Sequence, residues 1–98
     1  QKGNNQHLIR ELVLTFTNSA SERTQALRAA ALRGSPEEVK RVAHLLRGAA
    51  ASVGAVGVAE AASALEGAPE QPRLMQNLDY EVARSLQLFR QFLEESYV

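Results

Sequence analysis

Several residue types are missing or scarce in this 98-residue chain, and each absence excludes a class of protein. There is no cysteine, so the chain has no disulfide framework, no thiolate metal ligand and no thiol nucleophile. Two histidines cannot by themselves close a structural zinc site, and we expect no metal site. No run of 18 apolar residues is present, so the sequence predicts no membrane-spanning helix.

An excess of either charge is also missing. Acidic and basic side chains balance at eleven each, which gives a formal net charge of zero. A broad basic face is typical of proteins that bind nucleic acid, and a basic cluster is typical of modules that bind membrane surfaces. We therefore expect neither a nucleic-acid partner nor direct membrane contact.

Helix-forming residues dominate the composition. Sixteen alanines and thirteen leucines outnumber the twelve valine, isoleucine and threonine residues, which favour strands. The length fits one compact domain with a single core. The composition therefore predicts an all-α fold.

The spacing of apolar residues divides the chain into four helical segments. Residues 1–6 are polar and predict a linker or disordered lead, followed by one domain over residues 7–98. Apolar residues recur every three or four positions over residues 7–33, 36–52, 55–66 and 72–95. Polar residues near Ser21 allow an alternative in which the first segment is two helices with a break there. The apolar stripe stays in phase across this region and favours one helix. Short connections then favour an antiparallel, up-and-down four-helix bundle.

Three of the expected core stripes can be named residue by residue. The first helix contributes Leu8, Leu12, Phe16, Ala20, Thr24, Leu27 and Ala31, with Ala30 alongside. The third contributes Val58, Ala62 and Leu65. The fourth contributes Leu74, Leu78, Val82, Leu86, Phe89 and Leu93, with Phe92 beside them.

Turn residues mark the ends of the second helix. Gly34 is expected to cap the first helix, and Gly54 the second. Between them, Ser35 precedes Pro36 and is followed three residues later by Glu38, which is the pattern of a capping box.

His44 does not fit a helix that serves only as packing. At about 100° per residue, the apolar residues of the second helix lie on the side opposite His44, so its imidazole is predicted to face solvent. These apolar residues are Val39, Val42, Leu46, Ala49 and Val53. A solvent-exposed histidine is most often an ordinary surface residue, so only its neighbours can indicate a functional role for His44.

The neighbours of His44 favour a functional interpretation. Gly48 lies one turn later, where glycine costs roughly 1 kcal/mol relative to alanine, and the need for space beside His44 would explain it. Ala51 continues this bare strip, and Leu45 at its edge is a candidate partner contact. An exposed imidazole with nearby cations is suited to accept a phosphoryl group. The cations are Lys40, Arg41 and Arg47.

These residues carry a resemblance to a known family, the histidine-containing phosphotransfer (HPt) domain. The matching segments are Ala43-His44-Leu45-Leu46-Arg47-Gly48-Ala49-Ala50, then Val53-Gly54-Ala55, then Leu65-Glu66. The resemblance extends over about residues 8–93. One departure is that the family usually has lysine three residues after the histidine, where this chain has Arg47, which keeps the charge but presents a planar fork.

The resemblance implies a phosphorelay role. It implies a four-helix bundle in which His44 carries the phosphoryl group, Arg47 steadies it and Gly48 leaves space for the partner. The partners would be response-regulator receiver domains, which supply the Mg²⁺ themselves, so this chain would need no cofactor. It would act as a phosphotransfer carrier without kinase activity of its own, and we expect the isolated domain to be a monomer.

The resemblance also fits excision from a longer chain. The sequence does not begin with methionine, and its polar lead favours a piece of a hybrid sensor histidine kinase. Such a parent would place the domain in the cytoplasm and could tether it to the inner membrane.

Two other functions remain open at the level of the residues. The first is a helical protein-docking module without phosphotransfer chemistry, in which Leu45, Gly48 and Ala51 bind a partner and His44 is incidental. The second is a helical DNA-binding domain, which the neutral charge disfavours. Phosphate found on His44 would separate phosphotransfer from both.

Overall fold

The structure is a computed structural model that describes the backbone of residues 2–95 and the side chains of residues 7–95. Residues 2–95 form four helices and no strand, which confirms the all-α prediction. The helices are α1 (Lys2–Leu32), α2 (Pro36–Ser52), α3 (Val56–Gly67) and α4 (Pro72–Glu95). None of them is long and apolar enough to cross a membrane.

The helices form a ring in which each packs against its two neighbours. The packed pairs are α1 with α2, α2 with α3, α3 with α4, and α4 with α1. The outer pair is antiparallel, because Arg10 Nη1 donates to the carbonyl oxygen of Leu93 at 2.9 Å, whereas Arg28 pairs with Asp79 at 3.4 Å. From the first contact to the second, the residue number increases on α1 and decreases on α4. The described chain is therefore an up-and-down four-helix bundle.

Glycine turns join the first three helices, as the sequence predicts. Gly34 has φ +68° and Gly54 has φ +73°, a left-handed region that side chains rarely adopt. After each glycine, the next amide reaches back to the carbonyl five residues earlier: Ser35 to Ala30 at 3.1 Å and Ala55 to Ala50 at 2.9 Å. These bonds satisfy carbonyls that the helix ends would otherwise leave unpaired.

The start of α2 matches half of the predicted capping box. Ser35 Oγ accepts a hydrogen bond from the amide of Glu38 at 3.4 Å. The carboxylate of Glu38 does not return to the cap, since it bonds the guanidinium of Arg41. An ion pair one turn along the helix has therefore replaced the second bond of the box.

The core lies along the axis of the bundle and consists of alanine, valine and leucine side chains and one phenylalanine. Its buried members are Phe16, Ala20, Leu27, Ala30, Val39, Val42, Ala43, Leu46, Ala50, Ala55, Val58, Ala61, Ala62, Leu65, Leu78 and Val82. Thr24 is also buried, and its hydroxyl donates to the carbonyl of Ala20 at 2.7 Å, so no polar group is left unpaired there. Ala49 and Val53 are only partly buried, because the buried face of α2 is rotated toward Ala43 and Ala50.

The first part of α1 differs from the sequence prediction. The helix begins at Lys2, within the residues expected to form a linker, since extending an existing helix costs far less than starting one. Leu8 and Leu12 were expected in the core but are 60% and 53% exposed, and Val13 is buried instead. Farther along α1, Ala31 is also exposed.

The lengths of the helices explain why Leu8 and Leu12 are exposed. The 31 residues of α1 extend about 46 Å and the 17 residues of α2 about 25 Å, so the first part of α1 has no α2 beside it.

The aromatic residues of α4 are less buried than predicted. Phe89 is half-buried and packs edge-on against Phe16, with ring centroids 5.6 Å apart. Phe92, expected beside the core, is exposed because it lies near the end of α4, beyond the shorter α3.

The neighbours Leu45 and Leu46 give a test of this packing. Leu46 is fully buried and Leu45 is 43% exposed. We expect Leu46→Ala to lower the free energy of unfolding by roughly 2–5 kcal/mol because it opens a cavity. Leu45→Ala, as the matched control, should lower it by less than about 1 kcal/mol. Urea denaturation followed by circular dichroism measures both, and equal losses would contradict the orientation of α2.

Candidate functional site around His44

His44 lies in the middle of α2 and points away from the core. Its side chain is 60% exposed, whereas Ala43 and Leu46 beside it are fully buried. This agrees with the helical projection, which placed the imidazole opposite the apolar residues. The face of α2 that presents His44 therefore has no part in packing the core.

The imidazole contacts a carboxylate on the neighbouring helix. His44 Nδ1 lies 2.8 Å from Glu66 Oε2, near the end of α3. Glu66 is largely covered, with 21% of its side chain exposed. No described residue bonds Nε2, so this nitrogen faces solvent while Nδ1 is held by the protein.

Two groups compete for Nδ1, and only one can hydrogen-bond to it. Arg47 Nη2 lies 3.1 Å from the same nitrogen. An ionised carboxylate only accepts, which requires a proton on Nδ1, whereas a guanidinium only donates, which requires a lone pair there. The contact to Glu66 is shorter, and a lone pair facing a carboxylate at 2.8 Å would be repelled. We therefore assign the proton of neutral His44 to Nδ1 and the free lone pair to Nε2.

Arg47 is held by the second oxygen of the same carboxylate. Its Nε lies 3.3 Å from Glu66 Oε1. That oxygen is buried and accepts no hydrogen bond of good geometry from the described residues, so the contact is an ion pair without a hydrogen bond. Glu66 thus contacts both His44 and Arg47, and the Arg47 side chain remains 42% exposed beside the ring.

The other two cations predicted near His44 do not contact it. Arg41 bonds Glu38 through two of its nitrogens, and this hydrogen bond holds the pKa of Glu38 below its usual range. Lys40 is exposed one turn before His44. The structure therefore brings Arg47 to the imidazole but corrects the idea of a cationic cluster around it, because Arg41 is paired elsewhere.

The remaining predicted residues lie along one exposed strip. Gly48 is exposed one turn after His44, and a Cβ built on it meets no atom within 4 Å. Leu45 is exposed at the edge of the strip, and Ala51 is exposed beyond Gly48. Ala51 and Arg47 also line a groove of about 330 Å³ between α2 and α3 with Gly54, Val56, Ala59, Glu60 and Ser63.

Glu66 is the residue to which sequence analysis assigned no role. A signal for it exists in the positions of the helices. The turn between α2 and α3 is centred near Ala55, and residues 11 before and 11 after that centre lie level with each other in an antiparallel pair. These residues are His44 and Glu66.

The assigned proton position on His44 can be tested by replacing Glu66. In the Glu66→Ala protein, Arg47 remains close enough to donate to Nδ1, so the proton should move to Nε2. Two-bond ¹H–¹⁵N correlation spectra of neutral His44 distinguish the two forms. Glu60→Ala removes an exposed carboxylate from the same helix and should leave the spectrum unchanged. An Nδ1–H form that persists without Glu66 would contradict the assignment.

The family of this chain follows from a comparison with known proteins. A family profile, the Hpt domain, matches residues 11–96. Comparisons with curated proteins and with solved structures gave no match. The matched region includes all of α2 and α3 with His44, Arg47, Gly48 and Glu66. Hpt domains take part in histidine phosphotransfer in phosphorelays and interact with the receiver domains of response regulators. By this match and its four-helix fold, the chain belongs to the Hpt domain family.

Proposed function

We propose that this chain is a phosphorelay intermediate with His44 as its phosphoacceptor. It takes a phosphoryl group from the aspartyl phosphate of one receiver domain and passes it to an aspartate of another. The observation that carries the proposal is the 2.8 Å contact between His44 Nδ1 and Glu66, because the proton of neutral His44 is assigned to Nδ1 and the lone pair of Nε2 is then free. A neutral imidazole with a free ring nitrogen is a nucleophile.

The transfer needs no proton to be added or removed. The Nε2 lone pair attacks phosphorus, the N–P bond forms, and the P–O bond to the receiver's aspartate breaks as that side chain leaves as a carboxylate. The ring then carries positive charge while its proton stays on Nδ1. The Glu66 carboxylate offsets that charge at 2.8 Å, and the same steps in reverse pass the group to the next receiver.

Arg47 is suited to steady the phosphoryl group. Its Nη2 lies 3.1 Å from His44 Nδ1, and its side chain is partly exposed. Because it shares no well-formed hydrogen bond with Glu66 Oε1, its donors are available to the oxygens of a group arriving at the ring. In this proposal Arg47 does the work that the resemblance assigns to the lysine of the family.

We propose that the Mg²⁺ for transfer comes with the receiver. Around His44 the described residues offer one contacting carboxylate, Glu66, and both of its oxygens already face His44 and Arg47. Mg²⁺ prefers several oxygen ligands in an octahedral arrangement, and this donor set does not provide them.

Replacing the phosphoacceptor tests the proposal directly. Wild-type chain mixed with a ³²P-labelled receiver domain and Mg²⁺ should take up label that is lost in acid and stable in base. His44→Gln should take up none and keep its helical circular dichroism, because the side chain packs against nothing in the core. His7→Gln, which changes the exposed histidine of α1, is the matched control and should be labelled normally. Label that persists in His44→Gln would overturn the proposal, and binding of the receiver without label would favour a docking module.

Gly48 separates the needs of the partner from those of the fold. Its Cβ position is open, so Gly48→Ala should stabilise α2 by about 0.5–1 kcal/mol through helix propensity alone. Transfer from a receiver should nevertheless slow by roughly tenfold, since a displacement of 1 Å at a reacting centre is costly. Phosphoramidate, a small phosphodonor, should label both proteins at similar rates. Receiver transfer at the wild-type rate would show that Gly48 leaves no space that the partner needs.

A further inference from the structure

Three neighbouring apolar side chains are exposed on the first part of α1. Leu8, Ile9 and Leu12 are each about half exposed. Together they leave roughly 300 Å² of apolar surface, which is as large as the largest patch on many monomers. Because patches of this size are often functional, this one is a candidate contact surface.

The orientation of this patch follows from the contacts of α1. Arg10 and Arg28 are five helical turns apart, and both contact α4, Arg10 through a hydrogen bond and Arg28 through an ion pair, so they mark the side of α1 next to α4. Leu8 and Leu12 lie about 160–200° around the helix from Arg10. They are therefore on the α2 side of α1, at a level of the bundle that α2 does not reach.

The exposed face of α2 extends from His44 toward the apolar patch on α1. Glu66 holds His44 and Arg47 on the α3 side of α2, and Leu45 lies about 160° around the helix from Arg47, which is the α1 side. From His44 the exposed positions Gly48 and Ser52 follow at four-residue intervals toward the end of the helix. Beyond that end, the next surface is that of Leu12 and Leu8.

The outer stripe of α1 completes this surface. Positions spaced by three and four residues connect the apolar patch with the level of His44, and one of them is charged. They are Leu8, Leu12, Thr15, Ser19, Glu22 and Ala26. A partner on His44 could therefore extend along α1 without burying a row of unpaired charges.

We infer that Leu8 and Leu12 are docking contacts for the receiver domain that exchanges phosphate with His44. This inference rests on the proposed function. Leu12 lies about 18 Å from the level of His44 along the bundle axis. A compact domain of about 100 residues has a radius of gyration near 13 Å and is wide enough to cover both.

The size of the patch favours this partner over a second copy of the chain. A standard interface buries about 800 Å² on each partner, and obligate dimers bury more. The patch supplies less than half of that. A short-lived relay complex fits it better, because its interface lies at the low end of the range and combines the patch with the strip around His44.

The test compares two phosphodonors on the same proteins. The receiver is the one, from a panel of purified receiver domains labelled with [³²P]acetyl phosphate, that transfers fastest to wild-type chain. The double variant Leu8→Ser, Leu12→Ser should lower kcat/KM for that transfer about five- to tenfold, mainly through KM. Labelling of His44 by phosphoramidate should not change. Leu32→Ser, a leucine on the same helix that is 89% exposed at the far end, should match wild type in both assays.

Three results would overturn the inference. The first is receiver transfer by the double variant at the wild-type rate. The second is an equal loss with phosphoramidate, which would mean that the site itself was disturbed. The third is a wild-type dimer in sedimentation equilibrium that the double variant loses while its receiver transfer is unchanged, which would assign the patch to a second copy. Wild-type chain that takes no label from either donor would instead refute the proposed function, and this inference with it.

Discussion

The tight turn between α2 and α3 is the constraint on which the site depends. Gly54 adopts φ +73°, and the amide of Ala55 bonds the carbonyl of Ala50, so the two helices leave the turn in one fixed register. That register brings His44 level with Glu66 at 2.8 Å. An insertion of one residue would rotate everything after it by about 100° and carry Glu66 away from the imidazole. The backbone geometry of one glycine, ten residues from the histidine, thus decides which nitrogen of the ring is free.

The same helix carries the core and the chemistry on opposite faces. Ala43 and Leu46 are fully buried, whereas His44 between them is exposed. Burial of a leucine contributes about 1.5–3 kcal/mol, whereas an exposed ion pair contributes about 0–1 kcal/mol. Stability therefore comes from the apolar face, and the polar face can be arranged for reactivity at little cost to the fold. His44 can therefore stay exposed to a partner protein, because the stability of the fold does not require its burial.

What could be predicted from the sequence follows from interactions between residues close in the chain. Gly34 and Gly54 were predicted as caps because a left-handed turn is a local requirement, and His44 was predicted to be exposed because helical periodicity fixes angles around one axis. Glu66 received no role, since its contact depends on how two helices meet. Leu8 and Leu12 were assigned to the core for a related reason: periodicity shows which face of α1 is apolar, but not how far α2 extends to cover it.

Charges around the site cancel, and this determines what a partner can recognise there. Arg41 is paired with Glu38 and Arg47 with Glu66, while exposed Lys40 has exposed Glu37 nearby on α2. Long-range attraction of a partner needs an excess of one charge, and the described residues here provide none. Recognition must then rest on contact at short range, on shape around Gly48 and on apolar surface. Because Arg41 and Arg47 are paired with carboxylates, the site is nearly neutral when empty, and the donors of Arg47 that Glu66 does not engage can still bind the phosphate that a partner delivers.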